Sequence, residues 1–482
     1  MISPPTIDYA ALSPLFIVII GALVLIFAEI LLPKRAWVAM VLTVVIAIVA
    51  LFADFAQLGK NLVTFGNFLA VDDFSVGVNA VVLVALILTA LISLPFMQRE
   101  DIRAGEYYAL LALSVSGMML MGQSRDLMVT FLALEIMSIP LYILVGLNPH
   151  NIRSKEASLK YFLMGAFASG IFVFGLALVL GGTGTLNYET IASRIHPIEP
   201  GTMVLAGFAL VIVALSFKVA LVPFQAWTPD VYQGSPLSLV GMMASSVKAA
   251  GFAGFLRILV FAIPFLRVTW QPAIVFVAVA TMIVGNLLAL NQTNLKRLLA
   301  YSSISHAGYV SLGLLASPDT AAGPILYYLV GYLFTVIGAF LTVQVLTPPK
   351  TDDLEIDDIR GLAVKQPFVA ALMAIFMLSL AGIPPTVGFL TKLYIFKAAL
   401  AAGQTTLVII AVLMTVVGAY YYLKVIMAMY MTEPQKHIDV RKIEARLDPL
   451  SRIVVIVTAF AVFYLGVFPE TVIKLASMAG LR

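Results

Sequence analysis

The sequence predicts an all-α polytopic membrane protein of about fourteen transmembrane helices, and three observations carry that prediction. Sixty-one per cent of the 482 residues are hydrophobic and only 11 per cent are charged, with a mean hydropathy of +1.04. A soluble domain carries about 25 per cent charged residues, so this much apolar surface has no aqueous fold to hide it. Second, apolar runs of spanning length, about twenty residues each, recur along the whole chain. Third, lysine and arginine alternate in abundance between successive links.

The runs fall at about 12–32, 36–53, 74–97, 106–122, 126–147, 159–181, 202–225, 236–263, 271–291, 297–317, 323–346, 367–400, 406–431 and 453–476. Short polar links separate them, the longest at about 182–201, 347–366 and 432–452, and none has room for a soluble domain. Residues 1–12 lack the basic region and cleavage site of a signal peptide, so the first run is expected to remain as a span. The links after odd-numbered spans hold Lys34, Arg35, Arg99, Arg103, Arg153, Lys155, Lys296, Arg297, Lys350, Arg360, Lys365, Lys436, Arg441, Lys442, Arg446 and Arg452, whereas the even ones hold Lys60, Arg125, Arg194 and Arg267. By the positive-inside rule the odd links are cytoplasmic and both termini lie on the outer, periplasmic side.

Two spans should be broken. Residues 217–229 read Phe-Lys-Val-Ala-Leu-Val-Pro-Phe-Gln-Ala-Trp-Thr-Pro, and residues 381–392 read Ala-Gly-Ile-Pro-Pro-Thr-Val-Gly-Phe-Leu-Thr-Lys. Proline removes an N–H and clashes with the carbonyl four residues back. Such breaks at membrane depth are tolerated only against protein or a wet cavity, and paired breaks point to a transporter's site. They fall in spans seven and twelve, five apart. That spacing predicts two five-helix units, inverted relative to each other because the unit is odd-numbered. The expected organisation is residues 1–105 as helices 1–3, 106–265 as the first unit, 266–431 as the second, and 432–482 as a link with helix 14. Prolines that serve packing alone are the rival explanation.

Ionisable residues lie inside these spans. Glu135 is near the middle of the fifth, Lys218 precedes the first break, Lys248 is midway along the eighth, His306 lies within the tenth, and Lys392 follows the second break. Each charge would cost about 2.5–3.5 kcal/mol at the centre of a span facing lipid; together they are expected to share a polar interior. In a low-dielectric site an ammonium loses solvation and deprotonates more readily, whereas a nearby carboxylate favours the charged form. A Glu135–Lys218 pair that opens and closes would therefore release and recover a proton. The bland alternatives are a structural hydrogen-bonded Glu135, a packing role for Lys248, and a His306 satisfied by Ser302 one turn before it. Lys160, near the start of the sixth span, could snorkel, as Lys397, Lys424 and Glu29 are expected to do. Asp230, beyond Pro229, is expected to be a turn or cap residue.

Other chemistry is excluded. The chain has no cysteine, which removes disulfides, thiolate metal sites and cysteine-ligated clusters. Only His306 of the four histidines lies in an apolar run, leaving no pair to hold a haem. No dinucleotide fingerprint or phosphate-binding loop is present.

The stretch Phe217–Pro236, with its Trp-Thr-Pro-Asp-Val-Tyr-Gln-Gly, resembles subunit N of the proton-pumping NADH:quinone oxidoreductase, respiratory complex I. Leu134–Ser138, Tyr301–Tyr309 and Gly382–Lys392 agree in order, so the resemblance runs from about the fourth span to the thirteenth. It implies an antiporter-like membrane-arm subunit in which Glu135, Lys218, Lys248, His306, Lys392 and, on a looser match, Lys160 carry proton translocation. It further implies that this chain holds no cofactor, FMN and iron–sulfur clusters lying in partner subunits. NADH and a quinone such as ubiquinone would be met only through the complex. Expected neighbours are the M-type and small K-type membrane-arm subunits and the lipid of a bacterial inner membrane, with no nucleic acid. The enzymatic class implied is a proton-translocating oxidoreductase subunit of the respiratory electron transport chain. Two rivals are a subunit of a multisubunit cation/proton antiporter and a purely structural membrane-arm subunit.

Overall fold

A computed structural model describes residues 7–32, 35–100, 102–148, 151–195, 200–347, 353–433, 447–470 and 472–474. Lys34, Lys350, Lys436, Arg441, Lys442 and Arg446 of the charge count, most of the 432–452 link and both extreme termini lie outside the described residues.

The chain opens with α1 (Ser13–Leu31) and α2 (Ala36–Phe55). A hairpin of β1 (Leu62–Thr64) and β2 (Leu69–Val71), with Leu62 opposite Val71, follows in the next link. Next come α3 (Asp73–Arg99), α4 (Ala104–Gln123), α5 (Leu127–Val145), α6 (Ile152–Thr183) and the short α7 (Tyr188–Arg194). The seventh span is two pieces, α8 (Thr202–Lys218) and α9 (Trp227–Gly234). The eighth is continuous from residue 237 to 262, with α10 (Leu237–Met242) and α11 (Lys248–Leu256) joined by a π-helical turn at Met243–Val247 and followed by another at Arg257–Ala262. Then come α12 (Arg267–Leu290), α13 (Leu295–Ser311), α14 (Ala322–Leu346) and the one-turn α15 (Leu362–Lys365). The twelfth span is again two pieces, α16 (Pro367–Ala381) and α17 (Val387–Ala401), before α18 (Thr405–Tyr430) and α19 (Pro449–Val467).

Every predicted apolar run thus contains helix. Eleven helices among the described residues are long and apolar enough to cross a membrane by themselves. The exceptions are the two broken spans and α13, whose serines and histidine dilute its hydropathy. Helix starts follow their caps rather than their hydropathy. Asn151 accepts from Arg153 N and Ser154 N, so α6 begins seven residues before its apolar run, and Asp448 does the same for α19. The hairpin and α7 were not expected, because each is too short to leave a periodic signal.

The helix at 237–262 is wholly buried, whereas only about a third of α1, α2 and α18 is. It is the centre of the bundle, so Lys248 on it faces protein and never lipid.

Polar links gather on two opposed faces. On one, Gln233 at the end of α9 meets Asp353, Arg153 pairs with Asp353, and Arg297 meets Asp230. On the other, Asn67 and Arg125 both reach Glu189, and Arg267 reaches the carbonyl of Ala316. The first set comes from links after odd-numbered spans and the last turn of span seven; the second from links after even ones.

The two faces carry one motif each. Asp126 caps α5, and Leu127 N donates to Leu186 O while Tyr188 N donates to Arg125 O. Asn294 caps α13, and Leu295 N donates to Leu354 O while Ile356 N donates to Thr293 O. In both, the link two spans later bridges back onto the helix cap and then turns into a short helix.

Candidate functional site

At the first break the backbone leaves the helix at Val219, Ala220 takes a left-handed φ of 62°, and the Val222–Pro223 bond is cis. The freed backbone groups find partners within the protein, as membrane depth requires. Trp227 Nε1 donates to Phe217 O at 2.9 Å, and Val222 N donates to Thr281 Oγ1 on α12 at 2.9 Å. Trp227 also stacks on Tyr161 at 4.7 Å between centroids. The distinctive tryptophan of the sequence therefore closes the break and fixes a tyrosine of α6.

Lys218, only 2% exposed, ends α8. Its Nζ donates to Ser138 Oγ at 2.7 Å and Tyr161 OH at 3.0 Å, and stands 5.1 and 5.6 Å from the ring centroids of Tyr161 and Tyr142. A cavity lined by Leu134, Tyr142, Gly165, Ala168, Ala214, Phe217 and Lys218 adjoins it, with about 10 Å³ open to the centre of a water molecule. That is close to the least space that holds one water.

Glu135 does not form the expected direct pair with Lys218. The half-buried carboxylate accepts from Ser169 Oγ on α6 instead. It remains within electrostatic reach of Lys218, and Ser138, one turn along α5 from Glu135, is the group that touches the ammonium. The reason is rotational: Glu135 turns toward α6, while the next turn of α5 faces the break.

Lys248 follows directly on the first π turn. Its Nζ donates to the carbonyl and, at 2.6 Å, to the hydroxyl of Ser303 on α13, and lies 6.0 Å from the Tyr332 ring. His306, one turn beyond Ser303, is not held by Ser302. Its Nδ1 is 2.6 Å from Tyr328 OH and its Nε2 is 3.3 Å from Tyr422 OH, while Ser302 Oγ itself meets Tyr422 OH at 2.5 Å. Both Lys248 and Lys392 act on His306 electrostatically. The imidazole therefore lies within electrostatic reach of two lysines and among Tyr328, Tyr332, Tyr309 and Tyr422.

Lys392 reaches back from α17 across the second break. Its Nζ donates to Leu380 O at 2.9 Å and Ala381 O at 3.1 Å, the carbonyls that α16 leaves free at its C-terminus. Gly382 makes the turn at φ 84°, and a Cβ there would stand 3.1 Å from Lys392 Cδ; the turn and the lysine both select glycine.

Lys160 stands apart from these four. It is half-exposed and pairs with Glu156 at 2.8 Å and Asp230 at 2.9 Å. Asp230 is no turn residue: it lies in the first turn of α9 and binds Arg297 as well, at 2.9 Å. Glu29 does not snorkel either, since it accepts from Gly105 N at 2.7 Å in the first turn of α4. The structure thus brings Lys248, His306 and Lys392 together, places Lys218 at the other break with Glu135 nearby, and leaves Lys160 on the polar face.

Sequence reasoning missed the most buried ion pair. Arg257, fully enclosed, donates through Nη1 and Nη2 to Asp72 at 2.7 Å each and through Nε to Gly122 O at 3.0 Å. Its signal was an arginine inside the apolar run 236–263, the same signal that singled out Lys248. Asp54, buried near the end of α2 and bound by Asn79 Nδ2 at 2.8 Å, was likewise overlooked.

The chain matches the family described as NADH:quinone oxidoreductase/Mrp antiporter, TM, over residues 124–418. It is 42% identical over 438 residues to NADH-quinone oxidoreductase subunit N 1 of Solibacter usitatus, covering 90% of this chain and 89% of that protein. It is 38% identical over 482 residues to NADH-quinone oxidoreductase subunit N of Trichlorobacter lovleyi, covering 98% and 97%. A chain in a solved structure of respiratory complex I from Thermus thermophilus with bound aureothin superposes with a TM-score of 0.82 at 34% identity, over 96% of this chain and 99% of that one. A chain of the Mrp complex from Dietzia sp. has the same fold, with a TM-score of 0.84 at 21% identity over 98% and 97%. The chain belongs to the NADH:quinone oxidoreductase/Mrp antiporter membrane family, in its subunit N branch.

Proposed function

We propose that this chain is the antiporter-like, proton-translocating membrane-arm subunit of a bacterial NADH:quinone oxidoreductase. Lys218, Lys248, His306 and Lys392 carry the proton, and Glu135 tunes Lys218. One observation carries the reading. Three buried lysines are hydrogen-bonded only to hydroxyls and carbonyls, and none of them has a described carboxylate within 4.0 Å. A lysine that served only as an ion-pair lock would be matched by a partner anion, as Arg257 is by Asp72. A lysine held by neutral groups can take either protonation state with little rearrangement, and buried ionisable groups in membranes mark such pathways.

The chain's own residues hold and pass protons. Electrons move elsewhere: FMN and iron–sulfur clusters belong to partner subunits, and the subunit acts as part of a translocase. The two cap motifs on opposite faces support the division into residues 106–265 and 266–431 as inverted units, with 1–105 and 432–482 flanking them. The lysine and arginine bias supports odd links in the cytoplasm and termini in the periplasm. Lys160, on the odd-link face, serves as the first group met from the cytoplasm.

The test is Lys218→Ala in the assembled complex, with proton uptake measured per quinone reduced. Unchanged stoichiometry would sink the proton-path reading and leave a structural subunit. Cation-driven proton exchange by the purified chain without a redox partner would favour the antiporter reading instead.

A further inference from the structure

We propose that Asp230 is a latch between the two five-helix units and the positioning residue that holds the water-sized cavity beside Lys218 closed. This rests on the reading of Lys218 as a proton carrier.

The argument starts from α9. It is only eight residues long, separated from α8 by a break and joined to the next helix by a tight turn at Ser235 and Pro236. A helix this short has little stability of its own, so side-chain contacts decide where it sits. Three are polar. Asp230 Oδ2 receives Lys160 of α6, Asp230 Oδ1 receives Arg297 of α13, and Gln233 Nε2 donates to Asp353 at 2.9 Å. One carboxylate thus takes a cation from each unit, one per oxygen.

The consequence for Lys218 runs through neighbours in sequence. Lys160 and Tyr161 are adjacent on α6, and Trp227 and Asp230 are one turn apart on α9. Lys160 meets Asp230 while Tyr161 stacks on Trp227, so two adjacent residues of α6 grip one face of α9. Tyr161 OH is also a hydrogen-bond partner of Lys218. Release of Asp230 would free α9 to slide, carry Trp227 off Tyr161, and loosen both the Phe217 carbonyl and the Lys218 hydrogen bond. The other arm, Arg297, lies on the helix that carries Ser303 and His306, so the same carboxylate feels displacement of either unit.

Half-exposed ion pairs contribute little singly, and a decorative surface pair is the alternative. The shared carboxylate and the stacked pair beside it make the case for a latch.

Because the native sequence has no cysteine, Ala168→Cys in the cavity wall labels uniquely on this chain. In the assembled complex, the reaction rate of that cysteine with N-ethylmaleimide measures how often the cavity opens. Asp230→Asn is expected to speed labelling up to about fivefold, the population shift that loss of an exposed pair allows, and to lower protons taken up per quinone reduced. Asp230→Glu is expected to restore both. Labelling at the native rate in Asp230→Asn overturns the latch. Should that variant not assemble, Arg297→Gln cuts only the α13 arm, and its labelling at the native rate overturns the proposal equally. Lys218→Ala that pumps normally would instead remove the proton-carrier reading, whatever the labelling shows.

Discussion

The two breaks solve one problem in different ways. At the first, Lys218 is the last residue of the leading half-helix, and it turns away from its own backbone toward hydroxyls of α5 and α6. The free backbone is left to Trp227 and Thr281. At the second, Lys392 comes from the trailing half-helix and closes the carbonyls of Leu380 and Ala381 itself. Division of labour at the first break leaves its lysine replaceable as a structural element and, under the proposed function, free to carry a proton. At the second, that proposal gives one ammonium both jobs. A proton leaving Lys392 still leaves an amine that can donate to one carbonyl, whereas loss of the side chain strands both.

The two cap motifs frame a second contrast, between positions one fixed step apart in the chain. The step in residue number from Leu127 to Leu295 equals that from Tyr188 to Ile356, the bridge positions of the two cap motifs. The same step leads from Ser138 to His306. Under the proposed division into two five-helix units, that step sets a hydroxyl bonded to Lys218 against an imidazole within electrostatic reach of Lys248 and Lys392.

The largest effect expected from this contrast is on proton transfer. Lys218→Ala should slow transfer through this chain ~100-fold or more, the usual worth of a positioned proton-transfer group, read as proton uptake by the assembled complex. The complex should keep nearly its native thermal stability, because Ser138 and Tyr161 can turn to water in the adjoining cavity. Lys392→Ala should invert the emphasis. Two buried carbonyls lose their donor at about 1–3 kcal/mol each, so the melting temperature of the purified complex should fall further than in Lys218→Ala; the opposite order would erase the distinction between the breaks. Trp227→Phe keeps a ring on Tyr161 and removes one donor from Phe217 O, which keeps Ala220 N at 3.1 Å, for about 0.5–1.5 kcal/mol, a loss that the same melting measurement should place below that of Lys392→Ala. Ser138→Ala removes one of two hydrogen bonds to Lys218 and should lower proton uptake less than ~tenfold; a loss as deep as that of Lys218→Ala would make the serine an obligatory relay.

The smallest effect concerns the odd-link face. Burial alone would push Asp353 up, yet hydrogen bonds from Gln233 and Arg153 and the Arg153 charge hold it below the ordinary carboxylate value. A carboxylate depressed on folding stabilises fully above its unfolded pKa, about 3.9, and that contribution fades as pH falls through the depressed value. Protection of the amides of residues 353–361, corrected for their intrinsic exchange rate, should therefore fall only below about pH 4, and protection indifferent to pH there would detach Asp353 from the network.

Much of this was legible in the chain. Apolar runs located each long helix because lipid demands about twenty apolar residues per crossing, and proline pairs located both breaks. Lys218, Lys248, His306 and Lys392 stood out because a charge in an apolar run is costly enough to need a reason. Arg257 obeyed the same logic and was passed over. Partners were far less legible. Glu135 and Lys218 sit on facing helices, and a rotation of α5 that no pattern specifies gives Ser169 to one and Ser138 to the other. Asp230 looked like a loop residue because its two cations lie 70 and 67 residues away.

By itself, then, the sequence determined that this protein spans a membrane, where its helices run, where two of them break, and which buried groups can carry charge. Those properties depend on local hydropathy and local backbone chemistry, which neighbouring residues settle among themselves. Only the tertiary structure decided that Lys218 rests on hydroxyls, that Lys392 closes its own helix, that His306 lies within electrostatic reach of two lysines, and that Asp230 binds both Lys160 and Arg297. Hydrogen bonds reach about 3 Å, and which groups come that close depends on helix rotation and packing across the whole bundle.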